Sequence, residues 1–229
     1  MPMKSLPLTA VLALLLGTSQ RLPAAPGTGI TELRIDPARS HLVAVSHRMD
    51  MFGIARTDHT FAPTEWTASL CLDLQRPTAQ GFKATVDVKT ASLRVDAAED
   101  RELAGVAGPV DAAASAELRR RLLGPDGLDA EHHPDIHWEA SSVTQPPAAN
   151  PIAEGTLTLR GITRPVGAVF EVKPAAGGQV SFTGGFTLRQ SDFGLPPETA
   201  DGDDEIRVRF DLQATATGKP CPAALSQHR

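Results

Sequence analysis

Histidine is the residue type in this chain with the clearest potential for chemistry, because imidazole binds zinc and exchanges protons near pH 7. His132, His133 and His137 lie close together in the sequence. Pro134 disfavours a helix that would bring His133 and His137 onto one metal ion. In a strand these two side chains would share a face about 13 Å apart, which is too far. A metal site would need help from another strand, such as His59, so we predict no bound metal or cofactor.

The chain lacks the sequence patterns of the common enzyme classes. It contains no G-x-S-x-G nucleophile elbow, and Ser191-Asp192 is better explained as a turn before Phe193-Gly194. The acidic residues 201–205 lack the spacing of a calcium-binding loop, and no glycine-rich loop joins a strand to a helix to bind phosphate. We therefore predict no catalytic residues. A metal-dependent enzyme that uses His59, His133 and His137 is the less favoured alternative.

The first residues have the layout of a secretory signal peptide. Lys4 supplies the positive start, residues 6–16 are apolar, and small residues follow at Ala24 and Ala25. This apolar stretch spans about 16 Å as a helix, roughly half of a bilayer core, so it is too short for a stable membrane span. We predict a signal peptide over residues 1–29, with its cleavage site undefined, and a periplasmic or secreted protein.

Export affects the interpretation of the two cysteines, because thiols can pair in an oxidising compartment. Cys71 falls on the polar side of its strand, and Cys221 lies in a proline-flanked C-terminal segment. A surface disulfide between them that clamps the tail to the domain is one interpretation, and two unpaired thiols are the other.

Composition places the chain among ordinary globular proteins. Of its 229 residues 41% are hydrophobic and 21% are charged, which excludes wholesale disorder. The net charge of −5 argues against a general nucleic-acid binder, which would need a basic face. The 19 glycines and 19 prolines indicate many turns.

The elements that position these residues are strands, because apolar and polar residues alternate along most of the chain. This alternation favours an antiparallel sheet with one buried face. About eight strands must hide their edges by closing into a barrel or by stacking as a sandwich, and the pattern alone does not choose between them. The alternating segments are residues 42–47, 68–74, 82–88, 136–143, 156–160, 166–172, 180–188 and 206–214.

One long insertion, residues 93–129, interrupts the alternation. Residues 112–123 within it have the composition of a helix, with Gly124 at the stopping position and Ser115 as a candidate N-cap. Residues 119–121 are three consecutive arginines, which we interpret as a solvated helix face.

Five separated motifs follow one another along the chain: residues 35–40 (IDPARS), 91–93 (ASL), 128–136 (LDAEHHPDI), 155–166 (GTLTLRGITRPV) and 190–195 (QSDFGL). In this order they resemble the motifs of the YceI family of secreted, lipocalin-like polyisoprenoid-binding proteins. The likeness covers almost all of residues 31–216. The insertion over residues 118–134 and the RTDH stretch at 56–59 are similar to a divergent branch of that family.

The resemblance implies an all-β fold, an eight-stranded antiparallel lipocalin-like barrel over residues 30–217, with a helix inserted near 112–123 and a tail at 218–229. It also implies a ligand inside the barrel. Eight large side chains have the parity of inward positions and would line the ligand, although they could instead fill a solid core. They are Phe82, Val86, Trp138, Leu157, Phe170, Phe182, Phe186 and Phe210.

We therefore expect an exported binding protein that sequesters or carries an isoprenoid, a quinone or a similar amphipathic lipid. The arginines at 119–121, or Arg189, could meet a polar head group at the mouth. We expect no nucleic-acid partner and no stable membrane span, and a homodimer is left open. The alternative is an envelope scaffold or stress-related protein without a lipid ligand.

Overall fold

The computed structural model describes residues 29–49, 56–77, 80–108, 110–196 and 204–221. The predicted signal peptide, apart from Gly29, lies outside the described residues. So do most of the predicted tail and most of the acidic segment 201–205.

The described residues form mainly β-strands, and two α-helices lie between the sixth and the seventh strand. The helices are α1 (Ala98–Ala104) and α2 (Ala112–Leu123). The strands are β1 (Ile30–Ile35), β2 (His41–Met49), β3 (Arg56–Pro63), β4 (Trp66–Asp73), β5 (Lys83–Lys89), β6 (Leu93–Val95), β7 (Asp135–Thr144), β8 (Ile152–Leu159), β9 (Ile162–Pro165), β10 (Ala168–Pro174), β11 (Gln179–Arg189) and β12 (Glu205–Pro220).

Antiparallel pairing of successive strands closes this sheet into a barrel. Four pairs of short strands (β1 and β2, β3 and β4, β5 and β6, β9 and β10) are halves of longer, kinked strands. For example, β1 pairs with β4 while β2 pairs with β3. The result is eight strands in up-and-down order, and β12 closes the ring by pairing with β11 on one side and with β2 and β1 on the other. The predicted eight-stranded antiparallel barrel is confirmed, and closure excludes the sandwich.

The kink between β1 and β2 shows how the local sequence shapes the wall. Asp36 caps a short 3-10 turn by accepting a hydrogen bond from the Ala38 amide, and Pro37 fits the first position of such a turn. The Ser40 hydroxyl donates to the Asp36 carbonyl and accepts from the Gln213 amide of β12. The turn therefore allows β1 and β2 to pair with different parts of the same neighbouring strand, β12.

Apolar side chains fill the barrel as two clusters. One cluster lies at the end formed by β1, β4 and the C-terminal half of β12, where the rings of Phe82 and Phe170 stack with centroids 6.0 Å apart. The other joins Leu188 and Ile206 to Leu122 of α2. We call this second end the α2 end of the barrel.

The two helices occupy different places. Helix α1 packs through Ala104 against the outward-facing Val43 and Val45 of β2, whereas α2 contributes Leu118 and Leu122 to the interior. The predicted helix over residues 112–123 is confirmed, and α1 was not predicted.

Ser115 as N-cap was wrong. Asp111 caps α2 instead, because its carboxylate accepts from the amides of Ala113 and Ala114. No helix within the described ranges is both long and apolar enough to cross a membrane.

Candidate functional site

The barrel encloses a cavity of 570 Å³ whose wall is mostly apolar. Such volumes lie within the ~300–1,000 Å³ that proteins use to enclose small ligands. The structure brings all eight of the predicted lining residues to this cavity: Phe82, Val86, Trp138, Leu157, Phe170, Phe182, Phe186 and Phe210.

Two glycines on the inward face leave space for the largest rings. A Cβ at Gly155 would lie 3.0 Å from the Trp138 indole, and a Cβ at Gly184 would lie 2.6 Å from Cζ of Phe210. Gly184 is also the direct cross-strand partner of Phe210. Each ring thus lies over a glycine, against the wall of the barrel. The Trp138 Nε1–H donates to the Val166 carbonyl at 3.1 Å, which fixes that indole.

Small side chains keep the middle of the barrel open. Ala44, Ala84, Ala153 and Ala168 occupy inward positions where larger residues would reach into the cavity. An eight-stranded barrel is just wide enough for its own side chains to fill it. Alanine and glycine at these positions therefore explain how this barrel can contain a cavity.

Polar side chains contribute to the cavity wall at the α2 end. Arg121 and Asp126 line it from α2 and the following loop, and Gln190 lines it just beyond the end of β11. Ser46 lines it from β2, where it pairs with Ile206 of the α2-end cluster. Polar lining residues are thus concentrated at the α2 end, with Ser69 and Thr85 elsewhere in the wall.

The arginines proposed to meet a head group have different surroundings. Arg119 donates to the carbonyls of Leu93 and Ala91, and Arg120 pairs with Glu117 at 2.7 Å. Arg121 lines the cavity, with its Nε 3.6 Å from Glu117 Oε1. Arg189 is exposed and lies outside the cavity wall.

A buried carboxylate, Asp96, connects the barrel wall to both helices. Its Oδ2 lies 2.7 Å from Nδ1 of His59 and accepts from the Ser115 hydroxyl of α2 at 3.1 Å. Its Oδ1 accepts from the Thr60 amide and from Arg101 of α1, each at 3.0 Å. Arg101 also donates to the backbone carbonyls of Asp58 on β3 and of Ala107 just after α1.

The ionised form of Asp96 is favoured by these contacts. Burial alone raises the pKa of the Asp96 carboxyl. The hydrogen bonds from His59, the Thr60 amide and Ser115 outweigh this effect, so the pKa lies below its ordinary value. The carboxylate therefore stays charged at neutral pH.

The histidines considered for a metal site lie in different surroundings. His59 contacts Asp96 on β6, and His137 on the outer side of β7 lies 2.7 Å from Asp87. His133 lies beside Gly161, at the turn between β8 and β9. Among the described residues no three His, Cys, Asp or Glu side chains are arranged to hold a metal ion.

His132 and the Ser191-Asp192 pair both lie in turns of the structure. His132 is hydrogen-bonded to Asp129, and this bond raises the pKa of His132. Residues Ser191–Phe193 form a 3-10 turn, as predicted for the Ser191-Asp192 pair.

Cys71 and Cys221 form a disulfide in the structure, with their Cα atoms 5.9 Å apart. Cys71 belongs to the outward face of β4, between the inward Leu70 and Leu72, yet it is completely buried rather than exposed at the surface. The bond attaches the end of β12 to β4 across β1, since β1 pairs with both strands.

Several lining residues were missed by the sequence reasoning. Leu118 and Leu122 were assigned to a helix without an assigned apolar face, and Ser46 follows the alternation but is a small polar residue. The cavity positions of Leu118 and Leu122 depend on how α2 packs over the barrel, which the strand pattern does not specify. Other lining residues include Leu42, Phe61, Leu93, Leu188, Ile206 and Val208.

A closed eight-stranded antiparallel barrel around an apolar cavity, with a helix over one end, defines a lipocalin-like class of barrel proteins. Within that class the profile of the YceI-like domain matches residues 33–214, so this chain belongs to the YceI-like family.

Relatives agree with this assignment. A UPF0312 protein of Pseudomonas putida strain F1 is 29% identical over 188 residues, covering 80% of this chain and 85% of the relative. The homologue from strain W619 is 28% identical over the same length.

Two solved structures show the same fold. BcnA of Burkholderia cenocepacia superposes with a TM-score of 0.58 at 21% identity, covering 79% of this chain and 99% of BcnA. The Campylobacter jejuni YceI protein gives a TM-score of 0.50 at 18% identity, covering 69% of this chain and 84% of that protein.

Proposed function

We propose that this protein is exported and that its barrel binds an isoprenoid-like or other amphipathic lipid, which it sequesters or carries without covalent chemistry. The observation that supports this function most directly is the 570 Å³ cavity with its mostly apolar wall. Membership in the YceI-like family agrees with it, because the family resemblance implies a polyisoprenoid ligand.

The energetics of the cavity favour a hydrocarbon guest. Burying a methylene group stabilises a complex by ~0.8 kcal/mol, so an aliphatic chain binds without specific polar contacts. An unfilled apolar cavity also forfeits dispersion contacts along its lining. Phe82, Phe170 and Phe182 lie deep in the barrel, each at most 5% exposed, and would contact the far end of such a chain.

Export is supported by two independent features. Residues 1–29 have the charge and hydrophobicity pattern of a signal peptide. The disulfide between Cys71 and Cys221 is a bond that persists in oxidising compartments such as the periplasm.

The function can be tested by extraction of lipid from freshly purified full-length protein, followed by mass spectrometry and titration with isoprenoids of increasing length. We expect a co-purified lipid and an affinity that rises with chain length until the cavity is full. An empty protein that shows no dependence on chain length would contradict the proposal and would favour the scaffold alternative.

Two adjacent positions on β10 provide a matched pair of variants. Ala168 faces the cavity and is 4% exposed, whereas Val169 faces outward and is 41% exposed. Ala168→Phe places a ring in the cavity and should weaken lipid binding at least tenfold. Val169→Phe adds a ring on the outer surface and should leave binding unchanged. Circular dichroism of both variants distinguishes a blocked cavity from an unfolded barrel.

A further inference from the structure

One hydroxyl in the wall of the cavity has no hydrogen-bond partner among the residues that the structure describes. Ser46 is 2% exposed and lines the cavity, and its Oγ is unpaired within the described part of the chain. The other such hydroxyl there, Thr60, shares the outward face of Val45, which packs against α1. Leaving a buried hydroxyl unpaired is unfavourable, so a hydrogen-bonding group of a ligand in the cavity would stabilise the complex at Ser46.

His59 is placed to act together with Ser46. The two residues are direct cross-strand partners on β2 and β3, so their side chains share the inward face, and their Cβ atoms are expected ~4.5–5.5 Å apart. Phe61, two residues further along β3, lines the cavity on the same face. The side chain of His59 is 18% exposed and is not itself part of the cavity wall, so it would meet a ligand only beside Ser46.

The contact with Asp96 determines which ring nitrogen of His59 remains available. An ionised carboxylate only accepts hydrogen bonds, so the hydrogen of a neutral ring resides on Nδ1, 2.7 Å from Asp96 Oδ2. The Nε2 atom is then an acceptor. Asp96 follows β6, which lies on the side of β3 opposite to β2 and Ser46.

Two arginines near the proposed subsite have carboxylates beside them. The negative charge of Asp96 is paired with Arg101 at 3.0 Å. In the cavity wall, Arg121 is accompanied by the carboxylate of Asp126 and also lies 3.6 Å from Glu117. Among the described residues of the cavity wall, the positive charge of Arg121 is therefore matched by the carboxylate of Asp126, which leaves no net positive charge there for a phosphate or diphosphate group.

We propose that Ser46 and His59 form a subsite for a single neutral hydroxyl head group, so that the lipid is a long-chain isoprenoid alcohol rather than its diphosphate. This inference rests on the proposed lipid-binding function. A hydroxyl can donate to Nε2 of His59 and accept from Oγ of Ser46 at the same time. The head group then lies at the α2 end, and the chain extends towards Phe82 and Phe170.

The test uses three probes with the same isoprenoid chain: geranylgeraniol, geranylgeranyl diphosphate and the corresponding hydrocarbon without a head group. Each is titrated against delipidated full-length protein, its Ser46→Ala variant and the control Ser142→Ala, which removes an exposed hydroxyl on β7. We expect wild-type protein to bind the alcohol most tightly. Ser46→Ala should weaken alcohol binding roughly three- to tenfold, the value of one neutral hydrogen bond.

The same variant gives a second, independent readout. Ser46→Ala removes the unpaired hydroxyl, so the ligand-free variant should unfold at the same temperature as wild type or higher, and its affinity for the hydrocarbon should be unchanged. Ser142→Ala should change none of the three affinities.

Each outcome of this test is decisive. Tighter binding of the diphosphate, or equal binding of the alcohol by wild type and Ser46→Ala, overturns the hydroxyl subsite and leaves the lipid-binding function intact. Failure of all three probes to bind wild type overturns the proposed function together with the subsite.

Discussion

Replacement of Asp96 tests whether one carboxylate holds both helices on the barrel. Asp96→Asn removes the charge that compensates Arg101, which is only 8% exposed. Removing one partner of a buried ion pair typically costs ~3–5 kcal/mol, so we expect a loss of that size in the free energy of unfolding. Asp96→Ala should cost ~1–2 kcal/mol more, because this residue has φ of 54° and asparagine tolerates that backbone conformation better than alanine.

Urea unfolding at neutral pH, with the disulfide intact, measures these differences. Hydrogen exchange on the same proteins should show lost protection in α1 before the strands, since Arg101 and Asp96 join α1 to β3. Adding Arg101→Met to Asp96→Asn should restore part of the stability, because the uncompensated charge is gone. A loss below about 1 kcal/mol for Asp96→Asn, or a double variant no more stable than the single one, would refute the buried-charge argument.

Three further predictions concern the disulfide, a glycine of the cavity wall and the pH dependence that Asp96 causes. Replacing Cys71 and Cys221 by alanine opens a loop of 150 residues and should lower the free energy of unfolding by about 4–5 kcal/mol, measured against oxidised wild type in urea; an unchanged midpoint would contradict this. Gly184→Ala puts a methyl group in steric overlap with the backbone carbonyl oxygen of Val169 and 2.6 Å from the Phe210 ring, so the backbone must shift and thermal unfolding should show a loss of at least ~1–3 kcal/mol; an unchanged melting temperature would contradict this. The pKa of Asp96 is lower in the folded than in the unfolded chain, so its contribution to stability is present above the ordinary carboxyl pKa of ~3.9 and is lost as the pH falls through the folded value. Unfolding curves below pH ~5 should therefore be less pH-dependent for Asp96→Asn than for wild type, and parallel curves would argue against this.

The strands were predictable because one face of nearly every strand is buried. Residues 206–214 alternate strictly in the sequence and form the middle of β12, the strand that closes the barrel. Closure itself was not derivable from alternation, which a sandwich would share, and it came from the family resemblance. Helix α1 was missed because its seven residues carry only the short apolar contact of Ala104 with the barrel.

The candidate site was predictable only in part. The parity of Phe182, Phe186 and Phe210 along their strands placed them on the inward face, where they line the cavity. Whether that face surrounds a cavity or a solid core depends on the register between neighbouring strands. In β11 and β12, for example, Gly184 must lie directly opposite Phe210 for the ring to fit. The contact between His59 and Asp96 joins residues 37 positions apart and depends on the same register of β3 and β6.

The pairing of the first and last strands has a practical consequence for attaching this protein to other molecules. Thr31 of β1 is in register with Pro220 of β12, so the chain enters and leaves the barrel side by side, at the end remote from α2. A tether, dye or fusion partner attached next to Thr31 or Pro220 would therefore begin at the end of the barrel remote from α2. If the protein is immobilised in this way, every molecule presents the α2 end of its barrel to the solution.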